Sequence, residues 1–282
     1  MKDNYFKYIE YYGNYSFSQI KINEIDYLLF ATLSYLPNVT IKDGISLKAL
    51  GDKVLSLDES KIFGTMSPKA IDLLKVMYNK KRYKNIRVYK IVKECTSTIQ
   101  FGAISFRYKN NLIVSYEGTN NAMSGWIENF KLVSTFPTIT QEKGLDYLYK
   151  VVKPIDKNIY LIGHSKGGNT ALISAYLAKS SVFNRIKRVY NFDGPGFRRE
   201  EFNTPRFKEV NMKTTNYLPD GSLVGILLFN KKYNYFKTNG IIYQKHYPFN
   251  WVMYGGFFEK AELINSSKSF KERLDNAINK VN

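Results

Sequence analysis

The sequence predicts an α/β protein: a mostly parallel central sheet with helices on both faces. Three observations carry this expectation. From about residue 140 onward, short apolar and β-branched runs alternate with helix-patterned segments, as parallel crossovers require. A strand hairpin precedes that alternation, and the first eighty or so residues carry a helical apolar period instead.

The elements follow in order. "NEIDYLLFATLSYL" places Ile25, Leu28, Leu29, Leu33 and Leu36 near helical spacing and stops at Pro37. A second helix is expected at "SPKAIDLLKVMYNK", with Ser67 as cap and Pro68 at the first helical position. Between Arg87 and Tyr116 the period favours strands, and "GAISFRYKNNLIVSYEG" reads as a hairpin turning at Asn110-Asn111. Then come "KGLDYLYKVVK" as helix, "NIYLIG" as buried strand, "GNTALISAYLAKS" as helix, "IKRVYNFDG" as strand and "TTNYLP" as a short strand. No repeat or low-complexity linker divides the chain, so residues 1–282 are expected to form a single domain with an N-terminal helical segment over about 1–80.

Composition narrows the class. The 282 residues are 44% hydrophobic and 23% charged, values of a chain that folds around a core and not of a disordered one. Cys95 is the only cysteine, which excludes an intrachain disulfide and a thiolate metal cluster within one chain, and it is read as a packed residue. The N-terminus "MKDNYFKYIEYYGNY" lacks the apolar stretch of a secretory leader, and no apolar run approaches about 18 residues. A cytoplasmic location is therefore expected. The net charge of +18 is large, but its lysines and arginines are spread along a chain also rich in asparagine, isoleucine and tyrosine. That spread points to a compositional bias more than to a nucleic-acid site, although a basic surface of this strength also suits peripheral contact with an anionic membrane.

Chemistry enters at one junction. Between the strand "NIYLIG" and the helix after it stands Gly163-His164-Ser165-Lys166-Gly167, a G-x-S-x-G string. Ligands of parallel α/β sheets bind beyond the carboxyl ends of the strands. A serine on such a sharp strand-to-helix turn is held exposed with its hydroxyl outward, and the flanking glycines relieve backbone crowding. The bland reading is a glycine-rich turn with a capping serine; the position between an apolar strand and a small-residue helix argues for the sharper one.

A serine hydroxyl needs a base, usually a histidine oriented by a buried carboxylate. The chain has two histidines. His164 neighbours the serine and is better placed to support the turn, so His246 in "YQKHYPFNW" is the expected base. Two aspartates between them end strand-like runs. Asp220 in "TTNYLPDGSLVG" is favoured for its later position, and Asp193 in "YNFDGPGF" is the other candidate, its bland role being a turn residue before Gly194-Pro195. Donors for a developing oxyanion are expected from Lys166, which follows the serine, and from Thr119 beside Gly118 in "IVSYEGTNNAMSGW".

Taken together these segments resemble the α/β-hydrolase fold, and specifically the class 3, fungal-type lipases and the related Mbeg-like family of bacterial proteins. "VSYEGTNNAMSGWIENF" resembles the lipases' oxyanion segment, "YLIGHSKGGNTALISAYLA" their nucleophile segment, and "VYNFDGPGF" the strand after it. "NYLPDGSLVGILL" with "QKHYPFNW" resembles the acid and histidine segments, and "NEIDYLLFATLSYLP" is similar to the N-terminal helix of the Mbeg-like group. The resemblance implies Ser165, Asp220 and His246 as a triad, with Thr119 and Lys166 in oxyanion roles. Two positions depart from the lipase pattern: Glu117 stands where arginine is usual, and Lys166 replaces an apolar or small residue.

The resulting expectation is a serine hydrolase of carboxylic esters, lipid or lysolipid acyl esters among them, requiring no cofactor and no metal. Thioesters fit the same chemistry. The expected partner is a small-molecule ester, not nucleic acid. The rival expectation is a non-catalytic protein of the same fold that uses its charge to hold an anionic membrane or polymer.

Overall fold

The computed structural model describes residues 4–58, 60, 62, 64–120 and 131–281. Four helices open the chain: α1 (Tyr5–Tyr12), α2 (Glu24–Thr32), α3 (Leu47–Leu55) and α4 (Met66–Met77), with the two-residue strand β1 (Ile45–Ser46) before α3. The long hairpin region follows as β2 (Arg87–Cys95), β3 (Gln100–Tyr108) and β4 (Asn111–Tyr116). Beyond it lie α5 (Ile139–Val151), β5 (Asn158–His164), α6 (Lys166–Leu177), α7 (Ser180–Phe183), β6 (Ile186–Phe192), α8 (Arg199–Phe202), α9 (Pro205–Lys213), β7 (Thr214–Pro219) and β8 (Tyr233–Phe236). A small hairpin of β9 (Met253–Tyr254) and β10 (Phe257–Phe258) and the helix α10 (Asn265–Val281) close the described chain.

Strands β1 to β8 pair in chain order in one sheet. The pairs from β1 to β4 are antiparallel, and those from β4 to β8 are parallel. Alternation along each strand sorts its side chains between two cores. Ile113 of β4 and Ile162 of β5 face the layer formed by the N-terminal helices, among Leu28, Leu29, Phe30 and Leu74. Leu112, Val114 and Leu161 face α5 and α6, among Leu148, Ala171 and Leu172. The helical N-terminal segment therefore supplies one covering layer, and the crossover helices supply the other.

The N-terminal layer is keyed by a buried ion pair. Asn23 and Asp26 form a capping box that starts α2. The same Asp26 carboxylate receives Arg82 Nε at 2.8 Å, Arg82 Nη2 at 2.5 Å and the Tyr83 hydroxyl at 2.8 Å. Both charged side chains are fully buried. The remaining guanidinium protons reach the carbonyls of Tyr15, Ile20 and Lys21 at 3.4, 2.9 and 3.0 Å. One carboxylate thus joins a helix start, the chain leading into it and the segment entering β2.

Several local expectations shift. The helix expected to be capped by Ser67 begins at Met66, and Ser67 Oγ instead donates to the Tyr35 carbonyl, tying α4 to the turn after α2. The hairpin turns at Lys109-Asn110, one residue early: Asn111 already pairs with Tyr108, and Lys109 takes the left-handed backbone, φ 53°. Cys95, expected to pack, is exposed at the end of β2. No helix among the described residues is long and apolar enough to cross a membrane.

Removing the Asp26 carboxylate would strand Arg82 as an unpaired buried cation. Asp26→Ala is expected to cost about 3–5 kcal/mol of unfolding free energy, the usual loss when one partner of a buried pair is deleted. Urea unfolding measures it; a change under about 1 kcal/mol, the range of exposed pairs, would show that the pair does not key this layer.

Candidate active site

The site begins with backbone geometry. Ser165 joins β5 to α6 with φ 59° and ψ −132°, a left-handed backbone that a side-chain-bearing residue adopts only under strain. Its N–H is held by the Phe192 carbonyl at 2.9 Å, which locks the turn to β6. Such a turn brings the strand end and helix start almost into contact: a Cβ on Gly167 would lie 2.1 Å from the Tyr116 carbonyl oxygen of β4. Ser165, expected to be exposed, is buried at 8% exposure because the strand ends and the Gly118 loop close over the turn.

His164, beside the serine, is buried and bonded at both ring nitrogens. Its Nδ1 lies 3.0 Å from the Tyr35 hydroxyl and its Nε2 lies 2.9 Å from the His246 carbonyl oxygen. A carbonyl only accepts, so the ring proton sits on Nε2 and Nδ1 accepts from Tyr35. Burial, with a contribution from His246, pushes the His164 pKa well below the usual 6.5 and keeps the ring neutral. The two imidazoles lie face near face, with centroids 4.6 Å apart. His246 is thereby drawn against the turn that bears Ser165, and Trp251, donating to the Lys245 carbonyl at 2.9 Å, braces the same segment from below.

The carboxylate at His246 is that of Asp193. His246 Nδ1 donates to Asp193 Oδ2 at 2.6 Å. The other oxygen, Oδ1, accepts from Ser222 Oγ at 2.5 Å and from Gly225 N–H at 3.0 Å. Asp193 is 1% exposed and ends β6 in the left-handed region, φ 53°, with its N–H on the Tyr217 carbonyl. Asp220, expected to orient the histidine, does not make this bond. Asp220 ends β7, one strand farther along the sheet from the β5 turn, and its Oδ1 accepts from Thr238 Oγ1 at 2.6 Å and from Lys245 Nζ at 2.9 Å. Lys245, the residue before His246, has taken it. Asp220 thus anchors the segment that carries the histidine without reaching its ring through these bonds.

The Gly118-Thr119 loop leaves β4 directly beside the serine. A Cβ on Gly118 would lie 3.1 Å from Ser165 Cβ and 2.1 Å from the Tyr35 hydroxyl, so only glycine lets the loop approach this closely. Thr119 follows, half-buried. Lys166 opens α6, where the first N–H groups find no partner within the helix. Glu117, the first departure from the lipase pattern, is buried and paired with Lys93 Nζ at 2.8 Å. Ser222, Gly225 and Tyr35 were not singled out from the residues, because each reaches the site from a segment distant in the chain. The described residues contain no cluster of three or more His, Cys, Asp or Glu side chains able to hold a metal ion.

A serine at a strained strand-to-helix turn, on a sheet whose parallel strands run β4 to β8, defines the α/β-hydrolase fold. The chain belongs to the Mbeg1-like family, whose model matches residues 77–282. No curated protein matches it. Among solved structures, similar chains include a lipase from Rhizopus microsporus var. chinensis, at 14% identity over 87% of this chain and 80% of that one with a TM-score of 0.45. A variant form of MDLA from Penicillium cyclopium is 13% identical over 77% and 81%, TM-score 0.49. The mono- and diacylglycerol lipase of Aspergillus oryzae is 15% identical over 69% and 70%, TM-score 0.41.

The buried neutral His164 makes stability depend on pH. Its pKa is lower folded than unfolded, so the unfolded chain binds the extra proton first: this contribution is present above about pH 6.5 and is lost as the pH falls below it. His164→Gln, which keeps one donor and one acceptor, should lose less unfolding free energy than wild type on acidification from pH 8 to 5.5. Parallel slopes in the two proteins would show that His164 does not carry the effect.

Proposed function

We propose that this protein is a serine hydrolase of carboxylic esters. The observation that carries the reading is the Asp193 carboxylate: buried, bonded on one oxygen by Ser222 and Gly225, and turned by the other onto Nδ1 of a histidine that packs against the Ser165 turn. A carboxylate so held fixes the proton on Nδ1, leaving Nε2 as the base.

In this reading His246 Nε2 takes the Ser165 proton as Oγ attacks the acyl carbon. The tetrahedral oxyanion is met by the backbone N–H groups of Thr119 and Lys166. Its collapse breaks the bond to the leaving alcohol, which departs with the proton from His246. Water then attacks the acyl-enzyme, giving its proton to His246 and releasing the acid and Ser165. Asp193 replaces Asp220 in the acid role.

Two features favour acyl substrates with an apolar portion. The turn that carries His246 exposes Ile241, Tyr243 and Tyr247. Glu117 and Asn120, on either side of the Gly118-Thr119 pair, help line a cavity of about 770 Å³ together with Leu36, Pro37, Thr65 and Phe101, within the size range of small-molecule sites. With a net charge of +18, lipid or lysolipid esters carrying anionic headgroups are the substrates this surface suits.

A fluorophosphonate probe should label wild type at Ser165 and leave Ser165→Ala unlabelled; equal labelling of both removes the assignment. With an ester panel of graded acyl length and matched thioesters, Asp193→Asn should lower kcat by on the order of 10⁴, the effect of fixing the wrong tautomer. Asp220→Asn should cost far less. The reverse ranking would restore Asp220 as the acid.

A further inference from the structure

We propose that the Lys166 side chain, acting through Gln100, sets the position of the oxyanion loop, so that one residue supplies one oxyanion donor from its backbone and places the other with its side chain. This rests on the hydrolase reading of the site.

The starting point is an ammonium where the sequence pattern leads one to expect an apolar group. Lys166 is 2% exposed. Burying such a charge is unfavourable unless its protons meet acceptors, and Nζ donates to the Gln100 backbone carbonyl at 2.7 Å and to its Oε1 at 3.4 Å. Gln100, the first residue of β3, is itself 4% exposed. Its amide spans Thr119: Nε2 donates to the Gly118 carbonyl at 3.1 Å, and Oε1 accepts the Asn120 N–H at 3.2 Å.

The peptide groups on either side of Thr119 are therefore held by one side chain, and that side chain is held by the residue that follows the nucleophile. A residue whose two flanking peptide groups are both held by one buried side chain has little room to rotate. Oxyanion stabilisation depends on donors already aimed at the charge before it forms. Lys166 N–H is fixed by the start of α6, whereas Thr119 lies in a loop that regular structure does not fix. The Lys166–Gln100 bridge converts the loop's position into a function of the helix's position. Glu117, the loop's carboxylate, is engaged by Lys93 at 2.8 Å. Gln100 and the Lys166 side chain are thus positioning residues that act through the loop.

The test uses the full chain. Lys166→Met and Gln100→Leu should each lower kcat by about a hundredfold, the lower end of losing an oxyanion donor, with KM changed less than threefold. The double variant should be no slower than the slower single one, because both break the same bridge. Circular dichroism checks folding; if Gln100→Leu does not fold, Gln100→Glu, which keeps the acceptor but as a carboxylate cannot donate to Gly118, takes its place. Unchanged kcat, or losses that multiply in the double variant, would overturn the bridge. Hydrogen exchange at the Thr119 and Asn120 amides gives a readout that needs no turnover. Exchange that accelerates in either variant supports the bridge, and exchange equal to wild type overturns it. Absence of Ser165-dependent turnover in wild type would count against the hydrolase reading alone, and the bridge would then stand or fall on amide exchange.

Discussion

The left-handed backbone at Ser165 is the constraint from which the rest of the site follows. A residue with a Cβ holds φ 59° only where its surroundings leave no alternative. Here those surroundings are the Phe192 carbonyl on its N–H, the β4 backbone pressed on Gly167 and the Gly118 loop against its Cβ. Strands β4, β5 and β6 are neighbours in the sheet, so three strand ends converge on one turn. The serine is presented because the sheet order puts it there.

Around that turn three carboxylates have assigned partners. Asp193 takes His246, Asp220 takes Lys245 and Glu117 takes Lys93. The segment ending at His246 is held at three points: Asp220 through Lys245, Trp251 on the Lys245 carbonyl, and His164 on the carbonyl of His246 itself. Low dielectric strengthens such bonds and makes an unpaired member costly, so these pairings resist exchange. The N-terminal layer takes part as well, since Tyr35, at the end of the turn after α2, hydrogen-bonds His164. The buried Asp26–Arg82 pair that secures that layer is therefore linked, through α2, to the placement of the histidine.

Much of this was legible in the residues. Strand and helix periods located β3 to β7, α5 and α6, because one buried face imposes a repeat of 2 or 3.6 that needs no partner to be recognised. The G-x-S-x-G string located the serine for a similar reason: its steric demands are met by its own neighbours. With two histidines in the chain, and one of them inside the turn, His246 was the single remaining candidate for a base.

What the sequence alone determined, then, was whatever local sterics and periodicity enforce: the α/β class, the strand-to-helix turn and the serine on it. Tertiary structure decided which carboxylate meets His246. Asp193 and Asp220 both end strands and both precede the histidine in the chain, and nothing within reach of either distinguishes them. The distinction lies in strand order, since β6 adjoins the nucleophile strand and β7 does not, and in Lys245, which pairs with Asp220. Hydrogen bonds between residues tens of positions apart, such as Asp193 to Ser222 or Lys166 to Gln100, leave no repeat in the sequence because only the folded sheet brings their partners together.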